Sequence, residues 1–308
     1  MVLVTGASGF AGSHLVQLLA TRGPVTAWTR SAPPPEIAEL ATWRKVDLLD
    51  KAAVRQSILE LRPRTVYHCA GSPHVSTSWA DTTQPLASNV MATHHLLEAL
   101  GAAGGGARVL VTGSAMVYSP SDGPIPESHG IRPNSPYALS KLAQEQLALR
   151  AIAEDGVDVV IARAFNHTGP RQTTDFAAPS FARQIAMIER GITAPVIKVG
   201  NLAAQRDLTD VRDMVRAYVA MMDKGASGGI YNVATGTPRS IQSVLDGLIG
   251  RSRVAVRVEV DPARMRPHDV PVLAGDASLL RRTTGWIPDV SFDQMLQDLL
   301  DYWRSQAA

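Results

Sequence analysis

The sequence predicts an α/β fold in which a doubly wound parallel sheet is followed by a smaller mixed α/β lobe. Three observations support this prediction. Strand-like and helix-like segments alternate through the first half of the chain, a glycine-rich turn follows the first predicted strand, and the second half is less regular. Strands that alternate with helices form a parallel sheet covered by helices on both faces.

The first half contains short apolar runs that are typical of buried strands. They are Val2–Thr5, Val25–Thr29, Trp43–Val46, Thr65–Ala70, Val109–Thr112 and Val157–Arg163. The segments between them carry apolar residues at helical spacing, which predicts helices. These helices are Gly12–Arg22, Lys51–Leu61, Leu86–Leu100 and Pro136–Ala153.

The second half has four predicted helices and three predicted strands. The helices are Phe181–Arg190, Val211–Met222, Ile241–Gly250 and Phe292–Arg304, and the strands are Val196–Val199, Ile230–Val233 and Val254–Val260. No single linker rich in proline and glycine separates the halves, so we expect interwoven lobes. Residues 1–164, with about 206–234, are assigned to the sheet domain, and residues 165–205 and 235–308 to the second lobe.

Composition excludes several classes of protein. The chain has 308 residues, of which 45% are hydrophobic and 19% charged, so it is neither disordered nor fibrous. A net charge of +2 gives no broad field for nucleic acid or a membrane surface. Cys69 is the only cysteine, and the histidines lack metal-ligand spacing, so neither a disulfide nor a metal site is expected. We find no targeting segment and no membrane span, and expect a cytoplasmic protein.

The first turn has the form of a phosphate-binding site. Thr5 to Gly12 spells TGASGFAG, in which Gly6, Gly9 and Gly12 follow a strand and open a helix. Glycines let the backbone approach a pyrophosphate, and the helix N-terminus supplies free N–H groups. The glycine spacing resembles that of the extended short-chain dehydrogenase/reductase superfamily. The resemblance implies a Rossmann-type fold and a dinucleotide bound by this turn, with Ser8 and Phe10 among its contacts.

The end of the second strand indicates which dinucleotide binds. An acidic residue there favours NAD, whereas this strand is followed by Arg30 and Ser31, which suit the 2′-phosphate of NADP(H). NAD(H) is the weaker alternative, in which Arg30 is a solvated loop charge. The resemblance adds five further cofactor contacts after the next strands and on the following helix, namely Asp47, Leu48, Ala70, Gly71 and Asn89.

Tyr137 and Lys141 lie four residues apart on a predicted helix and so share one face. A nearby ammonium favours the phenolate and lowers the pKa of a tyrosine, which suits proton transfer. Ser114 follows the fifth strand at the edge where the cleft is expected. Serine, tyrosine and lysine in this order resemble the catalytic triad of the superfamily. The resemblance implies that Ser114 holds the reacting oxygen, Tyr137 transfers the proton, and Lys141 also holds the nicotinamide ribose.

The residues after Ser114 indicate which type of reaction the site can catalyse. Nucleotide-sugar dehydratases of this superfamily place acidic residues there, whereas this chain has Ala115 and Met116, which cannot act as acid or base. A dehydratase is therefore disfavoured, and a reductase, a dehydrogenase or a 4-epimerase remains.

Later motifs resemble the GDP-sugar branch, which contains GDP-mannose 4,6-dehydratases and GDP-4-keto-6-deoxy-mannose reductases. They are the Arg163–Pro170 segment with Asn166, the Lys198–Asp207 segment, and the Arg264–Pro271 segment. The resemblance implies that the substrate contacts are His74, Ser78, Ser114, Asn166, Gly200, Asn201, Leu202, Arg206, Arg266 and Asp269. The arginines suit a diphosphate, although Arg206 could instead pair with Asp207 or Asp210.

The sequence thus predicts NADPH-dependent reduction of a GDP-4-keto-6-deoxy-hexose at carbon 4, giving GDP-D-rhamnose or GDP-6-deoxy-D-talose. The alternatives are an NAD-dependent nucleotide-sugar 4-epimerase and a catalytically silent NADP-sensing binding protein. The resemblance also implies a homodimer through a four-helix bundle. Its apolar contacts are predicted at Met91, Leu96, Leu97, Leu142, Leu147 and Leu149.

Overall fold

The computed structural model describes residues 1–73, 77–265 and 270–307. Most of its strands are short and apolar, as expected for buried strands. In chain order the strands are β1 (Val2–Thr5), β2 (Val25–Thr29), β3 (Thr42–Lys45), β4 (Thr65–His68), β5 (Arg108–Thr112), β6 (Asp158–Ala164), β7 (His167–Thr168), β8 (Val196–Val199), β9 (Gln205–Asp207), β10 (Thr209–Asp210), β11 (Ile230–Val233), β12 (Pro238–Ser240), β13 (Arg257–Val260) and β14 (Val272–Leu273).

Seven of these strands form one parallel sheet in the order β11-β6-β5-β4-β1-β2-β3. The chain runs outward from β1 in one direction to β3 and then returns to the other side of β1 at β4. In such sheets a crevice opens where the strand order reverses, outside the carboxyl ends of the strands. The predicted doubly wound, Rossmann-type sheet is therefore confirmed.

Helices cover both faces of the sheet. In chain order, the α-helices of the described residues are α1 (Phe10–Ala20), α2 (Lys51–Leu61), α3 (Thr83–Pro85), α4 (Ala92–Ala102), α5 (Pro136–Glu154), α6 (Ala177–Glu189), α7 (Val211–Lys224), α8 (Ile241–Ile249), α9 (Ser278–Thr284) and α10 (Phe292–Gln306). One buried core joins the sheet to α1 and α7, and a second joins its other face to α2, α4 and α5. Both faces are thereby removed from water.

The helix predicted at residues 86–100 is built from two segments, and α3 precedes them. A π-helical turn, Leu86–Met91, connects α3 to α4. Asn89 in this turn is fully buried. π-helical turns inside helices often occur at functional sites, and this one faces α5.

The carboxyl-terminal part of the chain has a core of its own, in which α6, α8 and α10 pack together around β8. β8 pairs in parallel with β13, and β9 lies between β12 and β14 in a small mixed sheet. β11 instead joins the main sheet beside β6. The exact lobe boundaries stay a prediction.

Most predicted elements match the observed ones within a few residues, and the differences lie at their ends. The third strand was predicted one residue late, because Val46 follows β3 rather than ending it. The short helix α9 and the strands β7, β9, β10, β12 and β14 were not predicted. Each of these strands has only two or three residues and is held by pairing with distant segments, which leaves no periodic signal in the sequence.

Candidate active site

The glycine turn after β1 is close-packed. Gly6 adopts φ +64°, and a Cβ there would lie 2.6 Å from the backbone nitrogen of Ala70. A Cβ on Gly12 would lie 2.2 Å from the Gly6 carbonyl oxygen. The turn therefore has no room for a side chain at either position, so these glycines are required by the backbone.

Helix α1 starts directly after this turn, and Gly9 at its N-cap provides no side chain for capping. Its first N–H groups are available to an anion at the positive end of the helix. The Phe10 ring stacks on His167, with 5.5 Å between ring centroids and 5° between the planes. The turn thus fits a dinucleotide pyrophosphate, and Phe10 links it to the loop after β6.

The residues after β2 form a small hydroxyl cluster beside this turn. The hydroxyl oxygen of Ser8 lies 2.6 Å from that of Thr29 and 3.1 Å from that of Ser31. Arg30 and Ser31 are exposed, so both are accessible to a ligand. Asp47 is also exposed and caps its own turn by accepting from the Leu49 N–H, whereas Leu48 is buried.

The loop after β4 is held against α5 by Asn89. The Asn89 side chain accepts a hydrogen bond from the Ser72 backbone N–H (2.8 Å) and donates one to the Ser140 hydroxyl (2.9 Å). Gly71 lies beside it, and a Cβ there would be 2.4 Å from Asn89 Oδ1. This brace shapes the crevice wall next to Ala70. The cofactor contacts of Ala70, Gly71 and Asn89 stay predictions.

Ser114, Tyr137 and Lys141 come together at the carboxyl edge of the sheet. Ser114 follows β5 in an extended conformation, and Tyr137 lies in the first turn of α5, which is capped by Ser135 and starts with Pro136. Lys141 lies one turn later and donates hydrogen bonds to the Thr112 carbonyl (2.8 Å) and to Gln144 (2.9 Å). The three side chains are at least nine-tenths buried.

Burial raises the pKa of Tyr137 above its usual value of 10, and hydrogen bonding from Ser114 opposes only part of this rise. The expectation of a lowered Tyr137 pKa is therefore wrong. Burial lowers the pKa of Lys141 itself to about 8, against the attraction of Glu145. At neutral pH the pair is a neutral phenol beside an ammonium group.

The positions after Ser114 are apolar. Ala115 is buried, and Met116 packs against the core on one face of the sheet. The Met116 backbone N–H donates to the Ser114 hydroxyl oxygen at 3.2 Å, which fixes the orientation of that side chain. Neither residue offers a titratable group for elimination chemistry.

Among the predicted substrate residues, Asn166 follows β6 and Arg206 lies on β9. Asn166 carries a buried side-chain oxygen that has no hydrogen-bond partner in the described ranges. Arg206 lies on β9, whereas Asp207 caps the turn at residues 235–236 and Asp210 pairs with Arg212, so both carboxylates are engaged by groups other than Arg206. Buried acceptors without partners are rare, so Asn166 is a strong candidate for ligand contact.

The remaining substrate predictions divide into two groups. Gly200 packs on the backbone of Arg264, Asn201 caps the turn before Ala203, and Leu202 lies against the core of the second lobe. Ser78 is buried in a short helical turn, Thr77–Trp79. The others, His74, Arg266 and Asp269, lie outside the described residues.

Two features are absent from the described residues, a metal-binding cluster and a membrane-spanning helix. Three or more His, Cys, Asp or Glu side chains nowhere converge in a geometry that could hold a metal ion. Similarly, none of the described helices combines the length and apolar character needed to cross a membrane.

Comparison with known proteins identifies the family. The family model described as GDP-mannose 4,6 dehydratase matches residues 3–299. The chain belongs to this GDP-mannose 4,6 dehydratase family. The resemblance to extended short-chain dehydrogenase/reductases is thus confirmed, as is the assignment to oxidoreductase-type enzymes of nucleotide-sugar metabolism.

Members of this family match along almost the whole chain. A Pseudomonas aeruginosa relative named GDP-6-deoxy-D-mannose reductase is 35% identical, covering 99% of this chain and 97% of its own. An Arabidopsis thaliana GDP-mannose 4,6 dehydratase 2 is 28% identical over 98% of this chain and 86% of its own.

Solved structures agree with this grouping. The structure of RMD from Pseudomonas aeruginosa complexed with NADPH has a TM-score of 0.88 and 33% identity, and covers 99% of both chains. A Thermus thermophilus UDP-glucose 4-epimerase in complex with NAD also has a TM-score of 0.88, with 27% identity over 98% of both chains. Proteins named as a reductase and as an epimerase therefore share this fold, so the fold alone does not distinguish the two activities.

Sequence reasoning did not find every polar residue near the candidate site. Gln144, Thr93 and His68 form a buried hydrogen-bonded group behind Lys141. A glutamine three residues after Lys141 on the same helix was the one available signal. His68 and Thr93 reach the group only because β4, α4 and α5 pack together.

Proposed function

We propose that the protein uses NADPH to reduce the 4-keto group of a GDP-4-keto-6-deoxy-hexose, giving GDP-D-rhamnose or GDP-6-deoxy-D-talose. The observation that carries the proposal is the combination of a Ser114, Tyr137 and Lys141 constellation with Ala115 and Met116 after it. The first three residues suffice for hydride and proton transfer, whereas the next two cannot catalyse water elimination.

The protonation state of the site favours reduction. When bound, NADPH supplies a hydride, which forms a C–H bond at carbon 4 while the carbonyl π electrons move to its oxygen. Tyr137 is a neutral phenol at pH 7, since its usual pKa of 10 already lies above this pH and burial raises it further, so it holds the proton that this oxygen needs. Ser114 is placed to hold the same oxygen. The Lys141 ammonium stabilises the phenolate that remains.

Two features support NADPH as the cofactor. Arg30 and Ser31 are exposed after β2, where a guanidinium and a hydroxyl suit a ribose phosphate. The glycine turn and the uncapped start of α1 suit the pyrophosphate. The Pseudomonas aeruginosa structure in complex with NADPH supports the same choice.

The substrate class is supported by the relatives and by one orphaned atom. The Pseudomonas aeruginosa relative is a GDP-6-deoxy-D-mannose reductase. The buried side-chain oxygen of Asn166 would gain a partner from a sugar hydroxyl or another ligand donor. Asn201, Leu202 and Arg206 lie in the segment from the end of β8 to β9. We propose that they contact the nucleotide part of the substrate.

A split assay tests the proposal. We expect no product from GDP-mannose with NADPH, but NADPH oxidation when GDP-4-keto-6-deoxy-mannose is supplied. Tyr137→Phe should remove most of this rate while NADPH still binds. Keto-sugar formation from GDP-mannose alone would overturn the assignment, as would turnover of UDP-sugars in place of GDP-sugars.

The rival with a specific observation in its favour is an NAD-dependent 4-epimerase, since such an enzyme shares this fold. An epimerase needs the same three residues and keeps its cofactor through each turnover. The ultraviolet spectrum of the purified protein separates the two: tightly held NADH favours the epimerase, whereas cofactor that exchanges freely favours the reductase.

A further inference from the structure

A buried chain of side-chain hydrogen bonds starts at Lys141. Its ammonium donates to Gln144 Oε1 (2.9 Å), and Gln144 Nε2 donates to the Thr93 hydroxyl oxygen (2.7 Å). His68 Nε2 lies 2.8 Å from the same oxygen, and His68 Nδ1 lies 2.7 Å from the Thr5 hydroxyl oxygen. Thr5, His68, Thr93 and Gln144 are fully buried.

The Asn89 carbonyl, which can only accept, sets the direction of the bonds in this chain. The Thr93 hydroxyl donates its only proton to the Asn89 carbonyl at 2.6 Å, so its oxygen can only accept from Gln144 and His68. His68 must therefore carry its proton on Nε2, and its Nδ1 accepts from the Thr5 hydroxyl. Burial lowers the pKa of His68 to about 3, in keeping with a neutral ring.

This direction also orients the Gln144 amide. Because its nitrogen must face Thr93, its oxygen must face Lys141. Two of the three N–H groups of Lys141 are thus used, one by Gln144 and one by the Thr112 carbonyl. The third has no acceptor in the described part of the chain, and the ammonium lies 3.8 Å from where a Cβ of Gly71 would be.

We propose that Gln144 is a positioning residue for Lys141, oriented through Thr93 by the Nε2–H tautomer of His68, so that one N–H of the ammonium is left for the cleft. The inference rests on the proposed function for the part that Lys141 plays in turnover. The geometry of the chain itself is independent of the substrate.

The chain positions the ammonium and does not relay protons. The Thr93 proton ends on a backbone carbonyl, and the Thr5 hydroxyl oxygen accepts only a long contact from the Ala70 N–H at 3.4 Å. A carbonyl and an amide nitrogen cannot pass a proton onward under ordinary conditions. The proton that Tyr137 loses must therefore be replaced from the cleft side.

Few charged groups near Lys141 affect its pKa besides the hydrogen bond to Gln144. Glu145 on the same helix favours the ammonium, and it is itself paired with Arg163. From β4 the neighbours are the neutral His68 and the thiol of Cys69, whose pKa burial raises to about 12. Thr112 contributes a backbone carbonyl only. A change at residue 144 should thus register directly in the titration of Lys141.

The first test compares Gln144→Leu, which removes the acceptor, with Gln144→Glu, which replaces it by a carboxylate. Loss of the ammonium should end activity at high pH in the wild type, near pH 8. In the pH profile of kcat/KM, the pH at which activity falls on the alkaline side should decrease by about one unit in Gln144→Leu. It should increase by a similar amount in Gln144→Glu. A purely structural role would lower the rate without moving the limb.

The second test uses the cofactor-free protein and needs no turnover. Nitrogen-15 NMR of labelled histidine should give the Nε2–H tautomer of His68, unchanged between pH 5.5 and 8. Thr93→Val should abolish that fixed tautomer, and the matched Thr93→Ser, which keeps the hydroxyl, should retain it. NMR titration of Lys141 in the two Gln144 variants should reproduce the opposite shifts.

These measurements separate the inference from the proposed function. An Nδ1–H tautomer of His68, or the same Lys141 titration in both Gln144 variants, would overturn the positioning role whatever the substrate. Opposite shifts of Lys141 in a protein that does not reduce GDP-4-keto-6-deoxy-mannose would uphold the positioning role and reject the proposed function instead.

Discussion

Glu145 and Arg163 form a buried two-point ion pair behind the candidate active site. Arg163 Nη2 lies 2.9 Å from Glu145 Oε2, and Arg163 Nε lies 3.2 Å from both carboxylate oxygens. The Arg163 guanidinium also covers the Tyr118 ring at 4.8 Å. The pair joins α5, which carries Tyr137 and Lys141, to β6, so it fixes the helix on the sheet.

Removing Arg163 should be costly because it leaves a charged carboxylate buried without a partner. We expect Arg163→Met to lower the free energy of unfolding by about 3–5 kcal/mol in urea denaturation. The matched control is Arg22→Met, which breaks an ion pair with Asp223 whose side chains are both more than half exposed. That variant should lose less than about 1 kcal/mol. Equal losses in the two variants would contradict a structural role for the buried pair.

The exposed Arg30 predicts the cofactor preference. Wild-type protein should turn over faster with NADPH than with NADH, and Arg30→Asp should erase or reverse the preference. The loss for NADPH should be about 1.5–3 kcal/mol in kcat/KM, the contribution of a hydrogen bond to a charged group. Equal wild-type kcat/KM values for the two cofactors would refute this assignment of Arg30.

Two buried histidines predict how stability depends on pH. Burial lowers the pKa of His14 and of His68 to about 3, from 6.5 in the unfolded chain. The stability each contributes is complete above pH 6.5 and is lost as pH falls toward 3, because only the unfolded form takes up the proton readily. Between pH 7 and pH 5, each histidine should lower the free energy of unfolding by about 2 kcal/mol. In His14→Gln, the free energy of unfolding measured in urea should decrease by correspondingly less over this pH range. If the free energy of the variant and that of the wild type depended on pH in the same way, this assignment would be contradicted.

Some of the side chains predicted to form the dimer interface lie in the protein's own core. Leu96 and Leu97 are buried in the protein's own core, so they are unavailable to a partner. Leu142 and Leu149 also pack on the protein's own cores, and Leu147 is only partly exposed. The expectation that Leu96 and Leu97 form the interface was wrong because they lie in the core beneath the sheet, whereas the other four predicted contacts stay predictions.

The exposed apolar side chains on the same two elements are Leu86, Met91 and Leu139, of which 43%, 44% and 54% are accessible. We keep the proposal of a two-fold dimer and assign its centre to these three residues. Light scattering at micromolar concentration should give a dimer mass for the wild type, and Leu139→Glu should shift it toward the monomer. A monomeric wild type would reject the proposal.

The fold and the centre of the site could be predicted because their signals are local. The glycine turn lies within eight residues of one strand–helix junction, and Tyr137 and Lys141 share one helical turn. The support behind Lys141 could not be predicted, since Thr5, His68 and Thr93 belong to three different elements. The raised pKa of Tyr137 could not be predicted for a related reason, because the burial that raises it depends on how distant segments pack.

Transfer of a deuteride from NADPH that carries deuterium at both hydrogen positions of nicotinamide C4 tests the central claim most directly. With GDP-4-keto-6-deoxy-mannose as substrate, we expect a product that carries one deuterium at carbon 4 and none at carbons 5 or 6, and NMR of that product distinguishes rhamnose from 6-deoxytalose. Tyr137→Phe should form this product far more slowly. An unlabelled product, or deuterium at another carbon, would contradict reduction at carbon 4.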